Sequence, residues 1–322
     1  MYTPILLITF NRPWHTQQVL SAIMAQDLSD LYVFQDGPRE GNLADVEKTA
    51  EVKNIIESMT SDTSVQVHTF FSEINLGCGP GPAAGISWFF ENVDKGIIIE
   101  DDAVPHPDFF KYAEELLEKY KDDNDVRAIG SMHLDDRTYG DGSYYFSKMN
   151  RTFCAWATWK RAWNDFDLNL RSTSRADLNN ALRIYGARLR EREYWCDRLD
   201  EIHKDCYHNS SWDQQFWMSI WLHHGKGIMP NANLSSNIGF DEEATHTTDS
   251  NSPASQRKTE SILPLVHPTD SSTHRNADLR FQKIYFAPFE YGVIGLKRLP
   301  YRLNKRLKRL LHHEGPWLKK CH

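Results

Sequence analysis

Apolar runs and turn residues alternate along the first 130 residues, and this pattern predicts strands and helices in turn. The segments between the apolar runs carry apolar residues at helical spacing, as in residues 44–59 and 107–123. Such alternation favours an α/β fold whose sheet is largely parallel and has helices on both faces. The five runs that indicate buried strands lie at residues 4–10, 31–35, 65–70, 96–100 and 126–130.

The second half of the chain has a less regular pattern. Residues 143–148 and 153–159 fit strands or short irregular segments, and residues 176–199 form a charged helical pattern. A helix is expected at residues 210–224, where aromatic and apolar positions follow a helical period. Residues 247–261 are rich in Ser and Thr, which predicts a loop. The regular α/β pattern is therefore confined to the first part of the chain.

Charged side chains lie where predicted strands end. Glu100, Asp101 and Asp102 close the apolar run at 96–100, while Arg12 and Asp36 follow two other runs. Ligands bind beyond the carboxyl ends of strands in sheets of this kind. A hard divalent cation takes carboxylate oxygens and leaves room for phosphate oxygens, so the triplet predicts metal-assisted departure of a nucleoside diphosphate. The alternative is that Asp102 only caps the following helix or turn.

The net charge of the chain is −7, which argues against a dedicated nucleic-acid-binding protein. The charge is unevenly distributed, because residues 297–322 contain nine Lys or Arg and one Glu. Leucines in this segment recur at helical spacing beside a basic face. The segment therefore predicts either an interfacial helix on an anionic membrane or a helix that docks on the acidic body of the protein.

The five cysteines are scattered and form no CxxC pair, so neither a zinc ribbon nor a disulfide framework is indicated. No apolar run is long enough for a signal peptide or a membrane span. We therefore expect a reduced, cytoplasmic compartment, with peripheral attachment to the inner face of the plasma membrane if the basic tail binds lipid.

Several motifs resemble those of known glycosyltransferases. Residues 85–129, which include "GIIIEDDAVPHPDFFKYAEELLEKY", resemble the N-acetylglucosaminyltransferase I family, as do "PILLITFNRPWHTQQVL" and "LYVFQDG" upstream. The "WATWKRAW" segment at 156–163 is similar to bacterial glycosyltransferases of surface-polysaccharide loci. The resemblance covers residues 1–130 well and residues 150–247 in patches.

This resemblance implies a GT-A fold, which is an α/β fold with a Rossmann-like mixed sheet flanked by helices. It implies one glycosyltransferase domain over residues 1–296, with a nucleotide-sugar half at 1–130 and an acceptor half at 131–296. Residues 297–322 would then be a separate basic helical tail. The implied activity is inverting, metal-dependent transfer of a hexose or N-acetylhexosamine, such as GlcNAc, from a UDP-sugar to a glycan or lipid-linked glycan. The implied cofactor is Mn²⁺ or Mg²⁺.

The resemblance also implies roles for individual residues. Asp102 matches the aspartate that coordinates the metal, Glu100 the acid that contacts the donor sugar, and Asp101 the acid near the ribose. Arg12 matches an arginine at the nucleotide and can offer a bidentate fork to phosphate. Asp36 matches an aspartate at the uracil. The alternatives are a surface arginine at position 12 and a turn-forming aspartate before a glycine at position 36.

An inverting transfer needs one base for the acceptor hydroxyl, and the resemblance assigns that role to Asp213, after Trp212 at a helix start. A carboxylate there could instead only complement the helix dipole. Trp212 and Trp156 could stack on a sugar or pack in the core. Thr245 and His246 stand where the family has a Ser-His pair, in a segment that closes over the donor, although the residues around them do not match. Thr245 could donate to a phosphate, and His246 could contact phosphate or metal.

Two other functions compete with glycosyl transfer. One is a non-catalytic nucleotide-sugar or glycan-binding module on the same fold, which has no need of a base such as Asp213. The other is a nucleotidyltransferase, which commonly has a basic, glycine-rich signature near the N-terminus. The segment "ITFNRPWHT" lacks that signature. The sequence therefore favours the glycosyltransferase but names neither its acceptor nor its linkage.

Overall fold

The computed structural model describes residues 3–204, 211–240, 255 and 257–285. Extended apolar segments form the strands in this part of the chain, and most strand residues are buried. The strands are β1 (Ile5–Thr9), β2 (Asp30–Gln35), β3 (Gln66–Phe71), β4 (Lys95–Glu100), β5 (Ala103–Pro105), β6 (Val126–Gly130), β7 (Tyr144–Ser147), β8 (Ala155–Trp159), β9 (Lys226–Pro230) and β10 (Ser235–Asn237).

Helices connect the strands, and Pro occupies an early position in three of them, where its missing N–H costs nothing. Helices within the described residues are α1 (Pro13–Met24), α2 (Leu43–Thr60), α3 (Pro80–Asn92), α4 (Pro107–Lys119), α5 (Lys160–Trp163), α6 (Arg175–Ile184), α7 (Leu189–Lys204), α8 (Asp213–Leu222) and α9 (Arg275–Tyr285).

Eight strands form one mixed sheet in the order β3-β2-β1-β4-β8-β6-β9-β7. Pairing is parallel from β3 through β4 and between β6 and β9, whereas β8 is antiparallel to both of its neighbours. Because β4 and β6 are both antiparallel to β8, β4 and β6 run in the same direction. The carboxyl ends of β1, β2, β4, β6 and β9 consequently meet at one edge, which we call the carboxyl edge.

Both faces of the sheet are covered. Along β1, Leu7 belongs to one hydrophobic cluster with residues of α1, α2 and α4, while Leu6 belongs to a second cluster with residues of α3 and α8. Successive strand residues point to opposite faces, which explains why the two leucines enter different clusters. Each fully buried Leu stabilises the fold by about 1.5–3 kcal/mol. The cores thus hold the sheet rigid and fix the positions of the strand ends.

The predicted mixed α/β fold class is confirmed by this architecture. The five predicted strands correspond to β1, β2, β3, β4 and β6, and the helix expected at 210–224 is α8. The sheet is less parallel than the pattern alone suggested, because the second half of the chain inserts antiparallel strands. The predicted helical stretch at 176–199 is split into α6 and α7 near Gly186, whose φ is 66°.

Strands from both predicted halves belong to the same sheet. The sheet is therefore continuous across residue 130, and the predicted boundary there concerns function only. Among the described helices, none combines the length and apolar character that crossing a membrane requires. The predicted basic tail at 297–322 and most of the predicted loop at 247–261 lie outside the described residues.

Candidate functional site

The acidic triplet and Arg12 meet at the carboxyl edge. Arg12 is the residue before α1, and its guanidinium lies between two carboxylates of the turn after β4. Its Nη1 donates to Asp102 Oδ2 at 3.2 Å, and its Nη2 forms a short hydrogen bond to Asp101 Oδ1. Burial alone would lower the pKa of Arg12, but the charges of Asp101 and Asp102 raise it above its ordinary value. Arg12 is therefore an internal ion-pair partner and not a surface arginine.

One arginine does not balance the negative charge of this cluster. Burial raises the pKa of Glu100 to about 8, and the nearby Asp102, Asp213 and Asp101 contribute to the rise. Burial also raises the pKa of Asp101, against the opposing effect of Arg12. A cluster of this kind gains stability when a further cation binds, because each carboxylate favours the charged form beside a positive charge.

Asp102 does not cap the helix that follows it. The N-cap of α4 is His106, whose side chain accepts a hydrogen bond from the backbone N–H of Asp108. Asp102 instead lies in the turn between β4 and β5, where its Oδ1 is buried and has no hydrogen-bond partner among the described residues. The capping alternative for Asp102 is thus removed, and a carboxylate oxygen is left over for a ligand.

Asp102 fits a divalent cation by the chemistry of its orphaned oxygen, which is a hard anionic donor. Within the described residues, no three His, Cys, Asp or Glu side chains are arranged to hold an ion by themselves. Other ligands would have to come from a bound substrate or from water, as is usual where a divalent cation sits on one or two carboxylates. Mn²⁺ and Mg²⁺ therefore remain a prediction, and the residues present are compatible with them.

Asp213 reaches the same cluster from the other half of the chain. It is the first residue of α8, and its Oδ1 accepts a short hydrogen bond from Ser211 Oγ. Burial raises the pKa of Asp213, whereas the hydrogen bond from Ser211 opposes that rise. Because Asp213 contributes to the raised pKa of Glu100, the two carboxyl groups share one electrostatic environment.

A short two-stranded sheet closes the cluster. Strand β10 pairs antiparallel with β5, and Ile238 donates its backbone N–H to Asp102 O at 2.8 Å. A Cβ on Gly239 would overlap the Asp102 carboxylate and lie 2.8 Å from Arg12 Nη1. The segment after β10 therefore contacts the metal-ligand candidate directly. The glycine after "LSSNI" is the only sequence signal that could have indicated this close approach.

Cys154 is a site neighbour that the sequence analysis did not identify. Its backbone N–H donates to Glu100 Oε2 at 3.1 Å, and its Sγ accepts from Asn237 Nδ2 at 3.2 Å. Cys154 has a φ of 66°, which is uncommon for a residue other than glycine. Burial raises the pKa of its thiol, and Asp102 and Glu100 raise it further. The thiol is thus held protonated as part of the wall beside Glu100.

Asp36 is occupied by internal hydrogen bonds. Its Oδ1 accepts from the backbone N–H of Gly37 at 3.0 Å and of Leu76 at 2.8 Å. Its Oδ2 accepts from the backbone N–H of Gly77 at 3.0 Å and from Asn75 Nδ2 at 3.1 Å. These bonds tie the loop before α3 to the end of β2. These bonds give Asp36 a structural role, of which the turn alternative explains only the bond from Gly37, and the predicted contact with uracil stays a prediction.

Trp156 and Trp212 lie in the core and stack on each other. Their ring centroids are 5.4 Å apart and the planes differ by 26°. Both side chains are buried in the cluster that includes Phe216 of α8. Both rings pack in the core, as the packing alternative expects, and the predicted sugar contacts of Trp156 and Trp212 stay predictions. Their stacking places the start of α8, and with it Asp213, against β8.

Thr245 and His246 lie outside the described residues, so their predicted contacts with phosphate or metal stay predictions. The same holds for the basic tail at 297–322. The structure therefore brings together Arg12, the acidic triplet and Asp213, and it places Asp36 and the two tryptophans in supporting positions.

Comparison with solved structures gives weak similarities. A UDP-glucose pyrophosphorylase complexed with UDP-glucose is 10% identical, with 71% of this chain and 90% of that chain covered at a TM-score of 0.37. HddC from Yersinia pseudotuberculosis is 11% identical, with 51% and 80% covered at a TM-score of 0.31. A putative nucleotide-diphospho-sugar transferase from Desulfovibrio desulfuricans G20 is 12% identical, with 54% and 70% covered at a TM-score of 0.29.

No protein-family model matches the chain, and no curated protein matches it. With TM-scores below 0.5, the structural similarities do not establish a family. Function must therefore be argued from the carboxyl-edge cluster itself.

Proposed function

We propose that this protein is an inverting, metal-dependent glycosyltransferase that moves a hexose or N-acetylhexosamine, such as GlcNAc, from a UDP-sugar to a hydroxyl of a glycan acceptor. The observation that carries the proposal is that Asp213 follows Trp212, which stacks on Trp156 of β8 beside β4, so that its carboxyl group lies within the electrostatic environment of Glu100. The triplet supplies a cation site, and Asp213 supplies a separate carboxylate. Resemblance to bacterial surface-polysaccharide enzymes favours a role in surface-polysaccharide synthesis.

Asp102 would hold the metal through its unpartnered Oδ1. When bound, Mn²⁺ or Mg²⁺ supplies positive charge that stabilises the departing nucleoside diphosphate. Arg12 can add positive charge in the same region, because its hydrogen bonds to Asp101 and Asp102 hold its guanidinium in place. Glu100 would accept hydrogen bonds from the donor sugar, as the resemblance implies. Positioning of this kind costs no reorganisation during the reaction.

Asp213 is proposed to accept the proton of the acceptor hydroxyl. The hydroxyl oxygen then forms a bond to the anomeric carbon while the bond from that carbon to the diphosphate oxygen breaks. Attack from the side opposite the leaving group inverts the anomeric configuration. The raised pKa of Asp213 suits a base, because proton transfer is more favourable when the pKa of the base approaches the working pH.

The test is donor binding, measured by calorimetry with a panel of nucleotide sugars in Mn²⁺ and in EDTA. Wild-type protein should bind one donor class in Mn²⁺ and lose most of that affinity in EDTA. The variant Asp102→Asn should bind weakly in both buffers. Asp62→Asn is the matched control, since Asp62 is an exposed aspartate in the turn after α2.

Donor binding that is equal in Mn²⁺, in EDTA and in Asp102→Asn would refute the metal role. Failure of every nucleotide sugar to bind would refute the proposed function. Metal-dependent donor binding with no turnover, unaltered by Asp213→Asn, would favour the non-catalytic binding module instead.

A further inference from the structure

A basic cleft lies between α9 and the loop that connects β6 to β7. Its volume is about 520 Å³, and its lining includes Arg137 and Tyr139 of the loop together with His274, Asn276, Arg280 and Lys283. None of these residues belongs to the carboxyl-edge cluster. Positions 276, 279, 280 and 283 form one face of α9, because residues three and four apart lie side by side on a helix. The opposite face of α9 is buried through Ala277 and Phe281.

The cleft is positively charged although the whole protein has a net charge of −7. Arg137, Arg280 and Lys283 contribute three cations. Asp135 is a nearby acid that orients the two arginines, since its Oδ2 is 3.1 Å from Arg280 Nε and its Oδ1 is 3.9 Å from Arg137 Nε. No described residue accepts a hydrogen bond from the Nη groups of Arg280 or forms an ion pair with Lys283. Positive charge therefore exceeds negative charge in this cleft.

The walls of the cleft are anchored. Tyr139 donates its hydroxyl to Asp135 Oδ2 at 2.5 Å, and its backbone N–H donates to Asn231 Oδ1 at 2.9 Å. Asn231 Nδ2 in turn donates to Tyr139 O at 2.8 Å. Asn231 follows β9 directly, so the loop that carries Arg137 is fixed to a strand end. Among the three cations, Arg280 is held by its hydrogen bond to Asp135 Oδ2 at 3.1 Å, and a cation that is already positioned binds an anion at a smaller entropy cost.

The topology places this cleft on the substrate side of the sheet. The loop begins at the carboxyl end of β6, and Gly130 and Ile98 both pair with Trp156 of β8. The carboxyl end of β6 is therefore level with Ile98, two residues before the end of β4 where the acidic triplet begins. The cleft and the triplet thus share the carboxyl edge, and β8, β6 and β9 separate β4 from β7 in the strand order.

We propose that the cleft binds a phosphate or diphosphate group carried by the acceptor substrate. The identification of the phosphate-bearing molecule as the acceptor rests on the proposed function, whereas the anion site itself does not. Arginine and lysine side chains that converge on a cleft bind phosphate oxygens through charge-assisted hydrogen bonds. A volume of about 520 Å³ is ample for a diphosphate with part of an attached group. The diphosphate of the donor is proposed to bind at a different place, the metal site at Asp102.

The anion site can be tested with inorganic pyrophosphate as the probe and the full chain as the protein. Calorimetric titrations are made in EDTA, so that no metal–pyrophosphate complex forms at the acidic triplet. We expect wild-type binding that weakens as salt is added, because exposed charges are screened. Lys283→Glu should weaken pyrophosphate binding about tenfold or more, since a charged hydrogen bond is lost and a repulsion is gained.

Arg280→Gln is the second variant, because glutamine can still donate to Asp135 and should preserve the fold. It should also weaken pyrophosphate binding. Lys111→Glu is the matched control, since Lys111 is an exposed lysine of α4 that does not line the cleft. Unchanged affinity in both Lys283→Glu and Arg280→Gln, or no binding of pyrophosphate to the wild type, would overturn the proposal.

The source of the phosphate is decided by a second arm with phosphatidylcholine vesicles, prepared with and without phosphatidylglycerol. Loss of vesicle binding in Lys283→Glu would assign the site to a lipid-carried phosphate. Loss of pyrophosphate binding with unchanged vesicle binding would assign it to a soluble phosphorylated group. Binding of the nucleotide-sugar donor to the wild type is measured in a separate experiment. If no donor binds, the proposed function fails, and the pyrophosphate titration still tests the cleft as an anion site.

Discussion

Gly239 lies so close to Asp102 that a Cβ at position 239 would overlap the carboxylate. The contact depends on the antiparallel pairing of β10 with β5, which carries the chain back over the turn after β4. The backbone N–H of Ile238 bonds Asp102 O at 2.8 Å, so the segment after β10 is held to the same residue at two points. The residue proposed to hold the metal is therefore in direct contact with a segment distant from it in sequence.

The first prediction concerns this contact. Gly239→Ala should lower the free energy of unfolding by about 1–3 kcal/mol, because the added methyl group overpacks the site. In the background of Asp102→Gly the same change should cost much less, since both the carboxylate and the Cβ of residue 102, which would lie 2.7 Å from the added methyl group, are gone. A double-mutant cycle by chemical denaturation measures this coupling. Equal costs in the two backgrounds would show that Asp102 is not the residue that Gly239 accommodates.

The second prediction distinguishes a role of Asp213 as the catalytic base from a role in donor binding. Asp213→Asn should reduce turnover by about 10²–10⁴-fold, because an amide cannot accept the acceptor proton. Donor affinity in Mn²⁺ should change little, since the base acts on the acceptor. Comparison of kcat with the donor dissociation constant for the wild type, Asp213→Asn and the exposed control Asp62→Asn provides the measurement. A collapse of donor binding with normal turnover per bound donor would make Asp213 a binding residue instead.

The third prediction concerns Asp36 and the loop it holds. Asp36→Ala should lower the free energy of unfolding by about 1–3 kcal/mol, because three backbone N–H groups at Gly37, Leu76 and Gly77 lose their acceptor. Asp62→Ala, at an exposed position, should be close to neutral. Denaturation curves for both variants check this. Unchanged stability together with a lost preference for uracil nucleotides would instead support the predicted contact of Asp36 with uracil.

The fourth prediction is a loss of stability in mild acid. Burial, together with the charges of Arg151 and Arg257, lowers the pKa of His133 to about 4. The unfolded chain takes up this proton near pH 6.5, whereas the folded chain resists it, so the stabilising contribution is present above pH 6.5 and is lost as the pH falls toward 4. His133 should therefore account for about 2 kcal/mol of the stability lost between pH 7 and pH 5.

Urea denaturation at the two pH values tests the role of His133. His133→Gln should reduce the difference between them, because glutamine does not titrate and can still donate to Arg137 O, which lies 3.0 Å from His133 Nε2. His224→Asn is the control, since His224 is exposed and its positive φ suits asparagine. An undiminished pH difference in His133→Gln would exclude His133 as the cause.

Local patterns in the sequence were enough to place the strand ends. The apolar runs before Arg12 and before Glu100 become adjacent parallel strands, and Arg12 consequently meets Asp101 and Asp102 as expected from their shared edge. The position of Asp213 was suggested by resemblance alone, because no local pattern links α8 to the end of β4.

Contacts between distant segments could not be predicted in the same way. The pairing of β5 with β10 determines the closeness of Gly239 to Asp102, and three-residue strands carry little periodic signal. The stacking of Trp156 on Trp212 likewise depends on how α8 crosses the sheet. Asp36 precedes a glycine, which suggested a turn, but its bonds to Leu76 and Gly77 require the packing of a loop 40 residues away.

In the proposed reaction, the bond that breaks lies between the sugar and the diphosphate. The most direct measurement is ³¹P NMR of the nucleotide formed from a bound nucleotide sugar in Mg²⁺, with glycan acceptors and pyrophosphate both present. We expect a nucleoside diphosphate, formed only with metal and absent in Asp102→Asn. A nucleoside triphosphate together with a sugar 1-phosphate would contradict it, because that outcome requires pyrophosphate to attack phosphorus and makes the protein a nucleotidyltransferase.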